Sequence, residues 1–132
     1  MGRVREDIEV NGELFWTLFD TGARNTYITE KVAQLLGTKQ LPKSFPASLG
    51  GKTYKIDKVC LLMAYVEGKY VDTESRVLPE IGVDEDGKPI EVLFGALAMQ
   101  LWGIRPIPDE EILDMSHYPK EFIEFSEEKG VV

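Results

Sequence analysis

Polar and apolar residues alternate over residues 3–10. Val4, Ile8 and Val10 share one face with Glu6, while Arg3, Arg5, Asp7 and Glu9 share the other. A period of two predicts a half-buried strand. Asn11-Gly12 follows, the strongest short hairpin signal. The return strand, Leu14-Phe15-Trp16-Thr17-Leu18-Phe19, is almost continuously apolar and is expected to be buried on both faces. It ends at Asp20. Tyr27-Ile28 resumes β-type residues. Thr29 can cap a short helix with Glu30 in its first turn; Val32, Leu35 and Leu36 have helical spacing and Gly37 stops it. Residues 38–46 are expected to form a loop, because Pro42 and Pro46 interrupt regular pairing.

Gly50-Gly51 lies between two strand-like runs and predicts a hairpin tip. A long strand is expected over residues 55–66. Ile56, Cys60, Leu62, Ala64 and Val66 fall on one face, and Val59, Leu61, Met63 and Tyr65 on the other, so both faces become apolar after Lys58. Glu67-Gly68 turns the chain into a strand over residues 70–78, ended by Pro79. Residues 82–89 are acidic and turn-rich and are expected to be a solvated hairpin loop. A strand over residues 90–94, a turn at Gly95 and a short helix over residues 96–102 closed by Gly103 follow. Arg105-Pro106-Ile107-Pro108 is expected to break regular structure.

The tail carries Asp109, Glu110, Glu111, Asp114, Glu121, Glu124, Glu127 and Glu128. It also carries Ile112, Leu113, Met115, Phe122, Ile123 and Phe125, too apolar for pure disorder. One or two short helices packing on the body or on a partner are expected there. The division drawn from the sequence is a domain over residues 1–104 and an acidic, partly helical extension over residues 105–132.

Composition narrows the function classes. The 132 residues suffice for one domain with a core; 43% are apolar and 29% charged, as in ordinary globular proteins. A net charge of −8 disfavours nucleic acid as a partner. There is no apolar run long enough to span a membrane and no hydrophobic leader segment at the N-terminus, so a cytoplasmic location is expected. Cys60 is the only cysteine, which excludes an internal disulfide and a cysteine metal cage. Its apolar neighbours suggest a buried thiol. His117, the only histidine, lies in a Pro-flanked tail segment, a poor place for a histidine-dependent nucleophile. The acidic loop fails as a calcium site: with Gly87 at the invariant glycine, Gly82 and Leu93 occupy positions that need acids. No metal or organic cofactor is expected.

The chemistry concentrates at Asp20-Thr21-Gly22-Ala23. A carboxylate at the end of a dry strand is costly unless it is hydrogen-bonded or shares a proton. An ordinary turn with Asp at its start and Gly inside it is the structural alternative. The segment from Leu18 through Thr26 and Ile28 resembles the active-site loop of the retroviral-type (retropepsin-like) aspartic protease family. A second signature of that family, apolar residues, a Gly and a short helix, is matched by Val92-Leu93-Phe94-Gly95-Ala96-Leu97-Ala98-Met99. The resemblance covers about residues 4–104.

The resemblance implies a mostly β fold: a closed or partly open, mostly antiparallel β-barrel with two short helices. It implies an aspartic endopeptidase in which Asp20 is catalytic and Thr21 and Gly22 support it. Gly22, Ala23, Leu49, Gly50 and Gly51 would contact substrate, the last three in a mobile hairpin, the flap. Hydrolysis by carboxylates needs one as base and one as acid, and two close carboxylates share a proton. Asp72-Thr73-Glu74 lacks the required Gly, so the chain offers one suitable Asp and a homodimer is implied. Thr21 would then hydrogen-bond across the axis. The partners implied are a second copy and a peptide or protein substrate. Many members carry an acid at the position of Arg24 and an Arg at that of Ala96, and those two pair; both are absent here. The alternatives to the enzyme are an inactive module of the same fold that binds extended peptides or partner proteins, and a structural dimer domain in which Asp20 is a satisfied turn acid.

Overall fold

The computed structural model describes residues 2–121. The first hairpin forms as its pattern demands. β1 (Arg3–Val10) pairs antiparallel with β2 (Glu13–Asp20), with Val10 opposite Glu13 across the two-residue Asn11-Gly12 turn. Asn11 and Gly12 both have positive φ, 50° and 83°, the mirror-image turn that matches strand twist. Val4, Ile8 and Val10 point inward. The expectation that residues 14–19 are buried on both faces holds only toward Asp20. Leu14 is 67% exposed, and burial along β2 becomes continuous only at Phe19 and Asp20.

After the Asp20 turn come β3 (Thr26–Thr29) and α1 (Glu30–Leu36). Thr29 stands at the N-cap, but its hydroxyl donates to Glu91 Oε1 at 2.8 Å and makes no cap bond. β4 (Lys39–Leu49) overturns the expected loop over residues 38–46. It is an edge strand, so a proline's missing N–H can face away from the ladder, and its register slips between Gln40 and Phe45, where Pro42 lies. Gly50-Gly51 then joins β4 to β5 (Lys52–Val66), and β6 (Lys69–Leu78) returns antiparallel to β5. β5 is not buried on both faces: Leu61, Met63 and Tyr65 are 50%, 39% and 47% exposed. Its inner face covers the core, and no second layer among the described residues covers the outer one.

β7 (Gly82–Val83) and β8 (Pro89–Ile90) make a small hairpin, followed by β9 (Val92–Phe94) and α2 (Ala96–Trp102). Residues 105–108 do not break regular structure. β10 (Arg105–Ile107) pairs with β11 (Ile112–Asp114) across the 3-10 turn Pro108–Glu110. Pro106 is tolerated because a two-stranded ribbon leaves each strand an open side. The only helical turn in the described tail is that 3-10 turn, and Leu113 joins the main core. Phe122, Ile123, Glu124, Phe125, Glu127 and Glu128 lie outside the described residues.

The main sheet runs β1-β2-β9-β3-β6-β5-β4, and one pairing, Glu9 with Tyr65, brings β1 back to β5. Six strands therefore curl into a ring, with β4 on its outside. The fold is mostly β with two short helices, as the sequence implied. The ring is not a strict barrel, and β2–β9 and β3–β6 are parallel pairs. β9, from late in the chain, inserts between β2 and β3. That insertion places the two distant sequence signatures side by side. Phe19 and Phe94 are register partners with ring centroids 5.0 Å apart, both fully buried. Each buried aromatic of this size contributes about 2–3 kcal/mol of apolar transfer. A second apolar cluster of Tyr27, Ile56, Leu78 and Leu93, with Leu18, Leu49 and Tyr54 packed against it, lies on the other side of the sheet.

Candidate active site

β2 ends at Asp20 on the floor of a cleft of about 570 Å³. Ala23 N–H donates to Asp20 O at 3.1 Å, closing the turn, and Gly22 N–H donates to Asp20 Oδ1 at 2.8 Å. Asp20 Oδ2 lies 3.3 Å from Arg3 Nε. The Asp20 side chain is 10% exposed, so the carboxylate is nearly dry yet reachable from the cleft.

The loop after Asp20 is locked from behind. Ala96 and Leu97, at the start of α2, donate their N–H groups to Ala23 O at 2.7 Å and Arg24 O at 3.1 Å. Gly95 N–H donates to the buried Thr26 hydroxyl at 3.0 Å. A Cβ on Gly95 would lie 2.2 Å from Asn25 O, so this approach excludes every other residue. The second signature is thus a clamp on the first.

Thr21 is turned the other way. Its hydroxyl accepts from Gly2 N at 2.8 Å, and its own N–H donates to Gly2 O at 2.9 Å. The hydroxyl group is engaged within its own chain.

The opposite wall of the cleft is the β4–β5 hairpin. Gly50 and Gly51 have φ of 54° and 82° and leave open space around each missing Cβ. Leu49 and Gly50 line the cleft together with Asp20, Gly22 and Ala23; Gly51 sits at the tip without lining it. Ser48, Lys52 and Tyr54 complete the hairpin side, while Ile81 and Val83 form an end wall.

Some cleft residues escaped the sequence reading. The alternation of β1 by itself puts Arg3 only on the polar face of a strand. A signal existed: counting back through the two-residue Asn11-Gly12 turn sets Arg3 opposite Asp20, which is the observed register. Tyr27, Tyr54, Ile81 and Leu93 had no such signal, because a residue's place on a cleft wall depends on how the sheet curls.

The acidic hairpin over residues 82–89 is also corrected: it is not simply solvated. The Asp84 side chain is 3% exposed. Its Oδ1 accepts from the N–H groups of Asp86 and Lys88, each at 2.9 Å. Its Oδ2 accepts from Trp16 Nε1 at 2.7 Å and faces Arg5 at 3.4 Å. These donors, the Lys88 N–H foremost, hold the carboxyl below the usual carboxylate range against the cost of burial. Lys88 also stacks on the Trp16 ring, 3.8 Å from its centroid. Among the described residues no cluster of His, Cys, Asp and Glu could hold a metal ion. Cys60 is buried, which pushes its thiol up from the ordinary range. No helix of the described residues is long and apolar enough to cross a membrane.

One acid delivered by a strand onto a glycine turn is thus clamped by a second glycine and a short helix. The sequence profile of a family described as aspartyl protease matches residues 7–96, and the chain belongs to that family. The retroviral protease-like domain of Ddi1 from Leishmania major is similar in structure, with 13% identity and a TM-score of 0.59 over 90% of this chain and 94% of that one. A foamy viral protease-reverse transcriptase, solved with an RNA/DNA hybrid, is similar with 20% identity and a TM-score of 0.55. That match covers 80% of this chain, which spans only 12% of the viral one. At these identities the likeness concerns the fold. No curated protein matches the chain.

Proposed function

We propose that the protein is a homodimeric aspartic endopeptidase in which Asp20 of each subunit activates a water. The observation that carries this reading is the single, nearly dry Asp20 carboxylate that lines a cleft of about 570 Å³ between its own glycine turn and the β4–β5 hairpin. One carboxylate takes the proton of the attacking water. The other, holding the shared proton, gives it to the carbonyl oxygen, and a proton then passes to the leaving amine. Gly22 supports the acid through its N–H, and Thr21 ties the loop to Gly2. Ala23 and the hairpin residues Leu49 and Gly50 contact the peptide backbone in strand-like fashion, and Gly51 lets the hairpin tip turn.

The chain has one Asp-Thr-Gly, so the second acid comes from a second copy. Leu97 and Leu101, on one face of α2, are 48% and 68% exposed. They supply apolar surface beside the Asp20 loop for a second copy to cover.

A second reading is an inactive module that binds extended peptides. The contact between Arg3 and Asp20 favours it, since a cation held on the acid competes with a shared proton. The test is hydrolysis of a mixed peptide pool by the full chain over a dilution series, with sedimentation on the same samples. The expected result is activity per chain that falls as dimers dissociate. Cleavage by a strict monomer overturns the dimer; no cleavage by a proven dimer favours the binding module.

A further inference from the structure

We infer that the cleft selects peptides carrying Asp or Glu side chains beside an apolar centre, and that Arg24 and Lys52 read those acids. The inference rests on the reading of the cleft as a peptide site. The chain as a whole has 15 basic and 23 acidic residues. The cleft inverts that balance: Arg3, Arg24 and Lys52 line it against one acid, Asp20.

The three cations are not equivalent. Arg3 is committed to Asp20. Arg24 and Lys52 have no ion-pair partner among the described residues, and both are exposed. Arg24 springs from a rigid base, since its carbonyl accepts from Leu97 N–H and the preceding carbonyl from Ala96 N–H. Lys52 stands on the facing wall, directly after the hairpin tip and opposite Leu49. Two uncommitted cations thus face the cleft from its floor loop and from its hairpin. The same cleft is also lined by the apolar and aromatic side chains of Leu18, Tyr27, Leu49, Tyr54 and Leu93, with Asn25 and Ser48 as uncharged polar neighbours. An extended peptide advances about 3.3 Å per residue and alternates its side chains. It can seat an apolar side chain centrally while acids within a few residues reach Arg24 or Lys52. A low-dielectric wall around such cations strengthens their local field, although the outer surface of the chain is acidic.

The test uses three labelled peptides with one apolar centre, flanked by Glu, Gln or Lys. Binding to full-length Asp20→Asn is followed by fluorescence anisotropy, and hydrolysis by the unmodified chain is followed in parallel. The Glu peptide is expected to bind roughly fivefold more tightly than the Gln peptide, as two partly exposed charge pairs allow. The Lys peptide is expected to bind most weakly, and the spread should shrink with added salt. Arg24→Gln and Lys52→Gln should each reduce the Glu preference. Arg105→Gln, the same charge change on exposed β10, should not. Equal binding of the three peptides, no binding at all, or a preference that Arg105→Gln reduces as much as Arg24→Gln overturns the inference. A Glu preference in binding without any hydrolysis leaves the inference standing and removes the endopeptidase. Hydrolysis indifferent to the flanking charge does the reverse.

Discussion

Asp20 and Asp84 are both acids with little exposed side chain, and they differ in how many donors reach them. Asp84 takes two backbone N–H groups and the Trp16 indole, with Arg5 alongside. Every lone-pair direction is used, so the group can hold a hairpin against β2 and do nothing else. Asp20 has one backbone donor and one arginine, and the rest of its surroundings is cleft. A carboxylate saturated by fixed donors is structural, and one left with spare acceptor capacity beside open space is available for chemistry. Composition could not separate them, since both are Asp before a glycine-containing turn.

The largest expected effect sets the two acids against each other. Asp20→Asn keeps the size and the Gly22 contact and cannot act as a base, so turnover should fall about 10³-fold or more while the melting temperature holds. Asp84→Asn should keep turnover and lower the melting temperature at neutral pH. The sign follows from linkage: a carboxyl held low in the folded chain contributes stability above its unfolded value and loses it as pH falls. The deficit of Asp84→Asn should therefore shrink toward acidic pH. If the two variants behave alike in both assays, the distinction between these acids collapses.

Gly95→Ala attacks the base of one site and spares the other. Its Cβ meets backbone at 2.2 Å, so α2 must back away from the Asp20 loop. A loss of about 2–4 kcal/mol in urea unfolding is expected, with turnover lost in whatever remains folded. An unaltered midpoint would show that the clamp yields freely.

Leu101→Asp asks whether a second Asp20 is needed. A charge on that 68% exposed position should weaken self-association about tenfold or more, with little effect on chain stability. Unchanged sedimentation would remove this face from the proposed dimer.

The smallest expected effect is at a third acid. Glu6 sits on the inward-facing side of β1 beside Glu67, and desolvation, then its hydrogen bond and repulsion with Glu67, push its carboxyl up to about 7. A carboxyl raised in the folded state contributes stability below its unfolded value and loses it as pH climbs through the folded one. Glu6 should thus cost stability increasingly from about pH 4.5 to 7. After allowance for solvent screening, Glu6→Gln is expected to stabilise by about 1 kcal/mol at pH 8 and hardly at all at pH 4. Thermal melts at both values check it, and an equal gain at both would exclude titration of Glu6 as the cause.

Much was legible in the order of residues. The Asn11-Gly12 and Gly50-Gly51 hairpins, the alternation of β1, the stop at Gly37 and the helix before Gly103 are local, and local sterics and periodicity determined them. Asp20-Thr21-Gly22-Ala23 and the Gly95 segment marked the candidate site, because each needs particular small or acidic residues at adjoining positions. Tertiary structure decided the rest. It made Lys39–Leu49 a strand despite two prolines, because only an edge position leaves their missing N–H groups unneeded. It left Leu61, Met63 and Tyr65 uncovered, because an apolar face says nothing of whether a layer exists to meet it. It set Asp84 against Trp16 and aimed Arg24 and Lys52 at one cleft, because such meetings depend on the curl of the sheet, which no stretch of sequence carries alone.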